Sequence, residues 1–208
     1  MQSPLDRFEY VGFWRRVGVA LLDCVVFSPL MAAYYWFDLL LLSFRLQSIW
    51  LHLLYFLAFY LPTLYFVTRF GGTPGKLMMG MRVVESSGQY LSLHRALRRD
   101  SIQYLSSTIH LLLLSQTIAA LPNPVAVDST AQVFEAFDRY GGWWNTADWV
   151  SGILPVMDVL VVCMNRRKRA IHDYIAGSYV ITKRSYDRLH APPEEPGLQM
   201  TGDALPAR

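Results

Sequence analysis

The sequence predicts an all-α membrane protein. It has four transmembrane helices, a small cytoplasmic cap of a β-hairpin and interfacial helices, and both termini in the cytoplasm. Three observations predict this. Of the 208 residues, 53% are hydrophobic and only 17% charged, against about 25% charged in soluble domains. Four stretches reach the roughly 20 mostly apolar residues that a helix needs to cross a bilayer. The basic residues then fall almost entirely on one side of those stretches, the asymmetry that marks cytoplasmic loops.

The first span covers about Phe13 to Leu42 and is interrupted by Asp23, Pro29 and Asp38. Pro29 predicts a kink, because proline removes an N–H and crowds the preceding turn. Tyr34, Tyr35 and Trp36 suit the outer interface, where amphipathic rings settle. The second span runs from about Ile49 to Val67 with Pro62 inside it, the third from about Ile102 to Leu121, and the fourth from about Trp143 to Met164. This threading puts Arg7, Arg15 and Arg16 on the cap side. The central-loop cations from Arg69 to Arg99 and the run Arg166-Arg167-Lys168-Arg169 join them there. Only Arg45 and Arg139 lie opposite, beside an acidic outer loop from Pro122 to Gly142.

Net charge is +3, and the cations are divided among segments that flank spans, which argues against nucleic acid. The stretch after Arg16 is too long for a signal-peptide core and carries Asp23, so the first span is expected to be retained. Cys24 and Cys163 form no disulfide or metal-ligand pattern.

Three regions follow: a tail over 1–10, a membrane domain over 11–184, and a tail over 185–208 read as disordered, rich in Pro, Gly and Glu from Ala191 onward. In the central loop, Gly71 to Lys76 reads as a turn and helix start, with Thr73 as N-cap and Pro74 at the first helical position. Leu77 to Met81 is read as an amphipathic turn in the interface. Arg82 to Glu85 and Gln89 to Leu91 around Ser86-Ser87-Gly88 predict a hairpin. Ser92 caps a short basic helix. Asn165 to Gly177 predicts a second interfacial helix stopped by Gly177, and Ser178 to Thr182 a strand added to the hairpin. No internal repeat is evident, which argues against an inverted-repeat carrier within one chain.

Ionisable groups inside spans are expensive and persist only with partners. Arg16 and Asp23 lie seven residues apart, about two turns and about 10 Å along one helix face. Arg16 can reach the interface. Asp23 cannot, so it is either protonated or met by donors on another helix. It reads as an interhelical tether or as an ion- or proton-handling carboxylate. Asp158 lies at a similar depth in the fourth span, so the two carboxylates either share a proton or cation or pair with arginines at the helix ends. His110, mid-span, reads as an interhelical hydrogen bonder or a proton relay. Asp38, Asp148 and His52 lie near the outer ends. A phosphate-loop reading of Gly71 to Lys76 fails, because Phe70 and Leu77 occupy the positions that need Gly and Ser/Thr. His172 and Asp173 read as an anchor, with Asp173 accepting from arginine or backbone N–H groups. Arg166 to Arg169 reads as a contact with anionic lipid.

Gly12-Phe13-Trp14-Arg15-Arg16 followed by Leu21-Leu22-Asp23 resembles the opening of the RDD family of bacterial membrane proteins. Gly72-Thr73-Pro74-Gly75-Lys76 with Gly80-Met81-Arg82 resembles the family's central loop, and Ile171 to Gly177 its closing His-Asp segment. The family is named for an arginine opening its first span, an aspartate inside it and a further aspartate. The resemblance covers about Val11 to Thr182. It implies that these residues are Arg15 or Arg16, with helical facing favouring Arg16, then Asp23 and Asp173. Ser178 stands where members often have Thr. For activity the resemblance implies transport of unsettled ligands, with cation–proton exchange proposed for some members.

Two functions follow as expectations. One is a secondary transporter or transporter subunit of the inner membrane, exchanging a cation for a proton through Asp23, tuned by Arg16 and assisted by Asp158. The other is a non-catalytic membrane scaffold or assembly partner in which Arg16, Asp23 and Asp173 are structural. No enzyme constellation, metal site or cofactor is predicted. Expected partners are the bilayer, with anionic lipids at the cytoplasmic face, and a homo-oligomer or another membrane protein.

Overall fold

The computed structural model of the chain describes residues 8–36, 39–123 and 127–191. The expectations for residues 1–7, for Asp38 and for the tail 192–208 lie outside the described residues. The fold is mainly helical. Four long helices dominate: α1 (Phe13–Trp36), α3 (Trp50–Phe70), α6 (Ser101–Ala120) and α8 (Trp144–Met164). At about 1.5 Å per residue each is about 30 Å long or more. α1 leaves the cap, α3 returns to it, α6 leaves again and α8 returns. The cap holds α4 (Pro74–Met78), β1 (Met81–Glu85), α5 (Leu93–Arg99), α9 (Ile171–Ala176), β2 (Ser178–Thr182) and α10 (Lys183–His190). The opposite end holds α2 (Leu39–Arg45) and α7 (Thr130–Tyr140).

Three segments are long and apolar enough to cross a membrane: Phe13–Tyr34, Trp50–Met78 and Trp144–Met164. Leu21, Val25, Leu54, Leu61, Val156 and Leu160 stand exposed along them. So large an apolar surface is stable only against lipid or another protein. Trp14 at the cap end and Trp50, Trp143 and Trp149 at the other are also exposed, at the two levels where tryptophan favours a membrane–water boundary. α6 is long enough but more polar. Two of its serines turn toward its neighbours: Ser106 pairs with Ser151 of α8 at 2.6 Å, and Ser107 with Tyr60 of α3 at 3.3 Å. Such pairs tether helices where water is absent.

The cap differs from the predicted hairpin. β1 pairs antiparallel with β2, nearly a hundred residues away, in the register Met81↔Thr182, Val83↔Val180 and Glu85↔Ser178. The local hairpin shrinks to one bridge between Val84 and Tyr90. The physical reason is burial. β2 is buried at Ser178, Tyr179, Val180 and Ile181 and gives β1 an apolar partner, which the short segment Gln89 to Leu91 cannot match. The other edge of β2 takes residues read as a tail. Tyr10 bridges Ile181, the Val11 N–H donates to the Val180 carbonyl at 3.0 Å, and Phe8 is buried against Tyr179.

The second interfacial helix is also shorter than predicted. Residues 165–168 form a turn, closed by the Lys168 N–H on the Asn165 carbonyl at 3.1 Å with Lys168 at positive φ, and the helix begins only at Ile171. It ends where Gly177 adopts φ 66°, a left-handed conformation open to glycine at little cost. Residues 185–190, assigned by sequence to the terminal tail, are helical in α10. The Thr182 hydroxyl accepts from the Ser185 N–H at 3.1 Å to start that helix, and Tyr186 stacks on Tyr90. In the outer loop, α7 buries Val133, Ala136 and Phe137 against Phe44 and Ile118.

The cap core joins Val11, Val19, Val67, Met81, Val83, Leu91, Ala96 and Val180. It draws one residue from α1 and one from α3, so cap and bundle share a core. Met81→Ala should destabilise the protein by about 2–5 kcal/mol, because Met81 is fully buried. Leu21→Ala, on the apolar belt, should cost well under half of that. Denaturant unfolding in detergent micelles would compare them, and equal losses would contradict a shared core at the cap.

Candidate functional site

The most constrained group in the molecule is the Asp173 carboxylate, which has no solvent exposure. Oδ2 accepts from Arg16 Nη1 at 2.8 Å and from the Ala170 N–H at 3.1 Å. Oδ1 accepts from the Ser178 hydroxyl at 3.1 Å and faces Arg99 Nη2 at 2.9 Å. Asp173 thereby links α1, α5, α9 and the start of β2. Burial pushes its pKa up, but the guanidinium charges of Arg99 and Arg16 outweigh that and hold it far below the usual carboxylate range. Arg16 also donates from Nη2 to the Lys168 carbonyl at 2.6 Å. Arg169 reaches the Asp173 carbonyl at 2.7 Å and lies over the Tyr174 and Tyr179 rings.

Beside this hub, Asp158 meets His172. Oδ2 of Asp158 lies 2.5 Å from Nδ1 of His172, and Oδ1 accepts the His172 backbone N–H at 3.0 Å. Nε2 of His172 lies 2.8 Å from Arg99 Nη2. Guanidinium can only donate, so Nε2 accepts there and Nδ1 carries the proton toward Asp158. Both nitrogens of His172 therefore have fixed roles. A proton lies between an imidazole and a carboxylate, with an arginine behind.

Asp23 is held differently. Its Oδ2 accepts from the Thr73 hydroxyl at 2.6 Å and its Oδ1 from the Gly75 N–H at 2.7 Å. It thus caps α4, supplying to that helix start the acceptor it lacks. A Cβ on Gly75 would fall 2.7 Å from Asp23 Oδ1 and 2.9 Å from the Val19 carbonyl oxygen, so only glycine lets α4 come this close to α1. Lys76 donates to Thr73 Oγ1 at 3.3 Å.

Two cavities adjoin these groups. One of about 190 Å³ is lined by Arg16, Asp23, Lys76, Arg99, Asp158 and His172, with apolar walls from Val19, Met81 and Val162. The second, of about 250 Å³, is lined by Tyr60, Thr63, Asp100, Gln103 and Pro155. They share Arg99, Asp158 and His172, so the Asp158–His172 pair stands between them.

Arg16 pairs with Asp173 and not with Asp23. Asp23 and Asp158 line one cavity, each with its own donors. His110 lies elsewhere, its Nδ1 against the Ser106 carbonyl at 2.8 Å and its ring edge-on to Trp144. Arg15 donates to the Met79 carbonyl at 2.9 Å. Gly72 is buried beside Lys76, and Gly80 turns the chain into β1 at φ 63°. His172 and Asp173 both reach Arg99 because the first turn of α9 abuts the end of α5. Sequence reasoning missed Arg99, which it counted only as one of several loop cations. Its signal was helical spacing, since Arg95, Ala96 and Arg99 share one face of α5. Among the described residues, no group of three His, Cys, Asp or Glu side chains is arranged to hold a metal ion.

Because Asp173 is depressed in the folded state, its contribution is complete above the unfolded value of about 3.9 and is lost as pH falls below about 4. Asp173→Asn should destabilise the protein by about 3–5 kcal/mol at neutral pH and should flatten the acid limb of its stability profile. Melting in detergent across pH 3 to 7 reads both, and parallel acid limbs would contradict this. Gly75→Ala should cost about 1–3 kcal/mol through the Asp23–α4 contact. Combined with Asp23→Ala it should cost much less than the sum, and full additivity in a thermal-shift cycle would count against a shared contact.

The family model described as RDD family matches residues 10–177. That range takes in Arg16, Asp23, the α4 turn, Arg99, Asp158, His172 and Asp173. No curated protein and no solved structure matches the chain. The match extends over most of the sequence, and the chain belongs to the RDD family.

Proposed function

We propose that the protein is a multi-pass transporter or transporter subunit that exchanges a cation for a proton, with the Asp158–His172 pair as the proton-handling group. One observation carries this reading: a hydrogen-bonded acid–base pair lies between two cavities at the cap end of the bundle. Such a pair can take a proton from one side and release it to the other. Asp23, the carboxylate that sequence reasoning favoured, is the weaker candidate, because it meets a hydroxyl and a backbone N–H, whereas Asp158 meets a titratable imidazole.

In this reading α6 is the fourth span, with Ser106 and Ser107 paired to α8 and α3. The cap, both termini and the basic run Arg166 to Arg169 lie in the cytoplasm, as the charge asymmetry favours, and the membrane is the cytoplasmic (inner) membrane of a bacterium. Anionic lipid lies against the basic run. Four helices are few for a pathway, so a homo-oligomer or a second membrane subunit completes it.

A second reading, a non-transporting scaffold or assembly partner, is favoured by the full engagement of Arg16, Asp23 and Asp173 in joining cap to bundle. Proteoliposomes separate the two. On adding Na⁺, K⁺ or Li⁺, wild type should move protons. Asp158→Asn and His172→Gln should abolish this while remaining folded, and Asp23→Asn should lower thermal stability more than it lowers turnover. No cation-dependent pH change by wild type in sealed, oriented vesicles would leave the scaffold reading. Full exchange by His172→Gln would remove His172 from the mechanism.

A further inference from the structure

The ion-pair hub leaves cationic donors over. Arg99 is almost fully buried, with its side chain 4% exposed. Its Nη2 serves Asp173 and His172, while its Nη1 is buried with no partner. Buried guanidinium N–H groups are costly to leave unpaired, and folded proteins nearly always supply an acceptor. Lys76 is the second case. Its ammonium carries three N–H bonds and makes one long contact, to Thr73. Both side chains line the 190 Å³ cavity. The acceptors in its wall have other donors: Asp23 serves Thr73 and Gly75, and both oxygens of Asp158 serve His172.

We propose that this cavity binds a singly charged oxyanion, a phosphodiester or carboxylate group, between Arg99 Nη1 and Lys76 Nζ. The charge balance limits the ligand. The cavity lining carries Arg16, Lys76 and Arg99 against Asp23 and Asp158, so one negative group balances it, while a polyanion meets two carboxylates in the wall. A single negative group is held by charge-assisted hydrogen bonds instead, which are the stronger kind. The walls from Val19, Ala20, Met81, Val162, Ala170 and Val180 disfavour a fully hydrated ion and suit a group with an apolar continuation. The cavity lies between α1 and α8, whose outer faces carry the exposed apolar belt. A lipid headgroup or a free small anion could supply the same chemistry. The site stands independently of the transport reading, since it is read out by binding alone.

The test uses the purified full chain in detergent, with thermal shift and native mass spectrometry. The probes are dimethyl phosphate, short-chain phosphatidylglycerol and short-chain diacylglycerol. Saturable binding of both phosphodiesters assigns the site to free anions as well as lipids, and binding of phosphatidylglycerol alone assigns it to a lipid headgroup. Lys76→Met should weaken binding about tenfold or more and Lys76→Arg should restore it, while Arg139→Gln, an exposed cation at the opposite end of the bundle, should leave it unchanged. Lys76 has a single long contact, so Lys76→Met tests the site without dismantling the hub, as an Arg99 variant would. The proposal is overturned by no saturable binding of either phosphodiester, by equal binding of diacylglycerol, or by unchanged binding to Lys76→Met.

Discussion

Asp173 is a carboxylate with no access to water, met by Arg16 from the first long helix and Arg99 from the end of α5, and the cap is assembled around it. A lone buried charge would cost several kcal/mol. Here the backbone N–H of Ala170 and the hydroxyl of Ser178 use the remaining acceptor capacity. Arg16 therefore belongs to α1 and to the cap at once. The arginine fixes the start of α9, α9 positions β2, and β2 orders both β1 and residues 8–11. A chain whose elements are joined by non-local pairs depends on such a fixed point, because no local turn sets the register of β1 against β2.

The second constraint is the approach of α4 to α1. Asp23 and Gly75 act as one device, the carboxylate capping the helix that the missing side chain allows to come near. It ties the central loop to the first helix about two turns further along the same face from the Asp173 hub. Between the two ties lies the smaller cavity, and its polar lining follows from them. The aspartate that reads from sequence as a tether or as a working carboxylate holds α4 against α1. Asp158 and His172 meet each other, with Arg99 and, 3.4 Å from His172 Nε2, the Asp173 carboxylate behind them.

The apolar belt was legible from composition and periodicity because lipid-facing side chains need no specific partner. Leu21, Val25 or Leu160 would read the same in any arrangement of the bundle. The helix ends were also close to legible, since Gly177, Pro74 and the tryptophans act locally. α7 was not foreseen, because an amphipathic helix of eleven residues inside a polar loop has no signal until Phe44 and Ile118 give its apolar face a place to pack. The hairpin was misread for the same reason. Glycine in a short loop favours a local turn, but the buried face of β2 decided which strand Met81 to Glu85 would join.

By itself, the sequence determined that the chain lives in a membrane, where its long helices run, and which ionisable residues need partners, because hydropathy, helix length and the cost of a buried charge are properties of single segments. Only the tertiary structure decided the partners. Arg16 could have served Asp23 by helical spacing, yet it serves Asp173, 157 positions away. Arg99 gave little sign of being the centre of the site, and Asp158 gave none of meeting a histidine. Ion pairing depends on distances of a few ångströms, and those distances were set by helices and strands brought together from opposite ends of the chain.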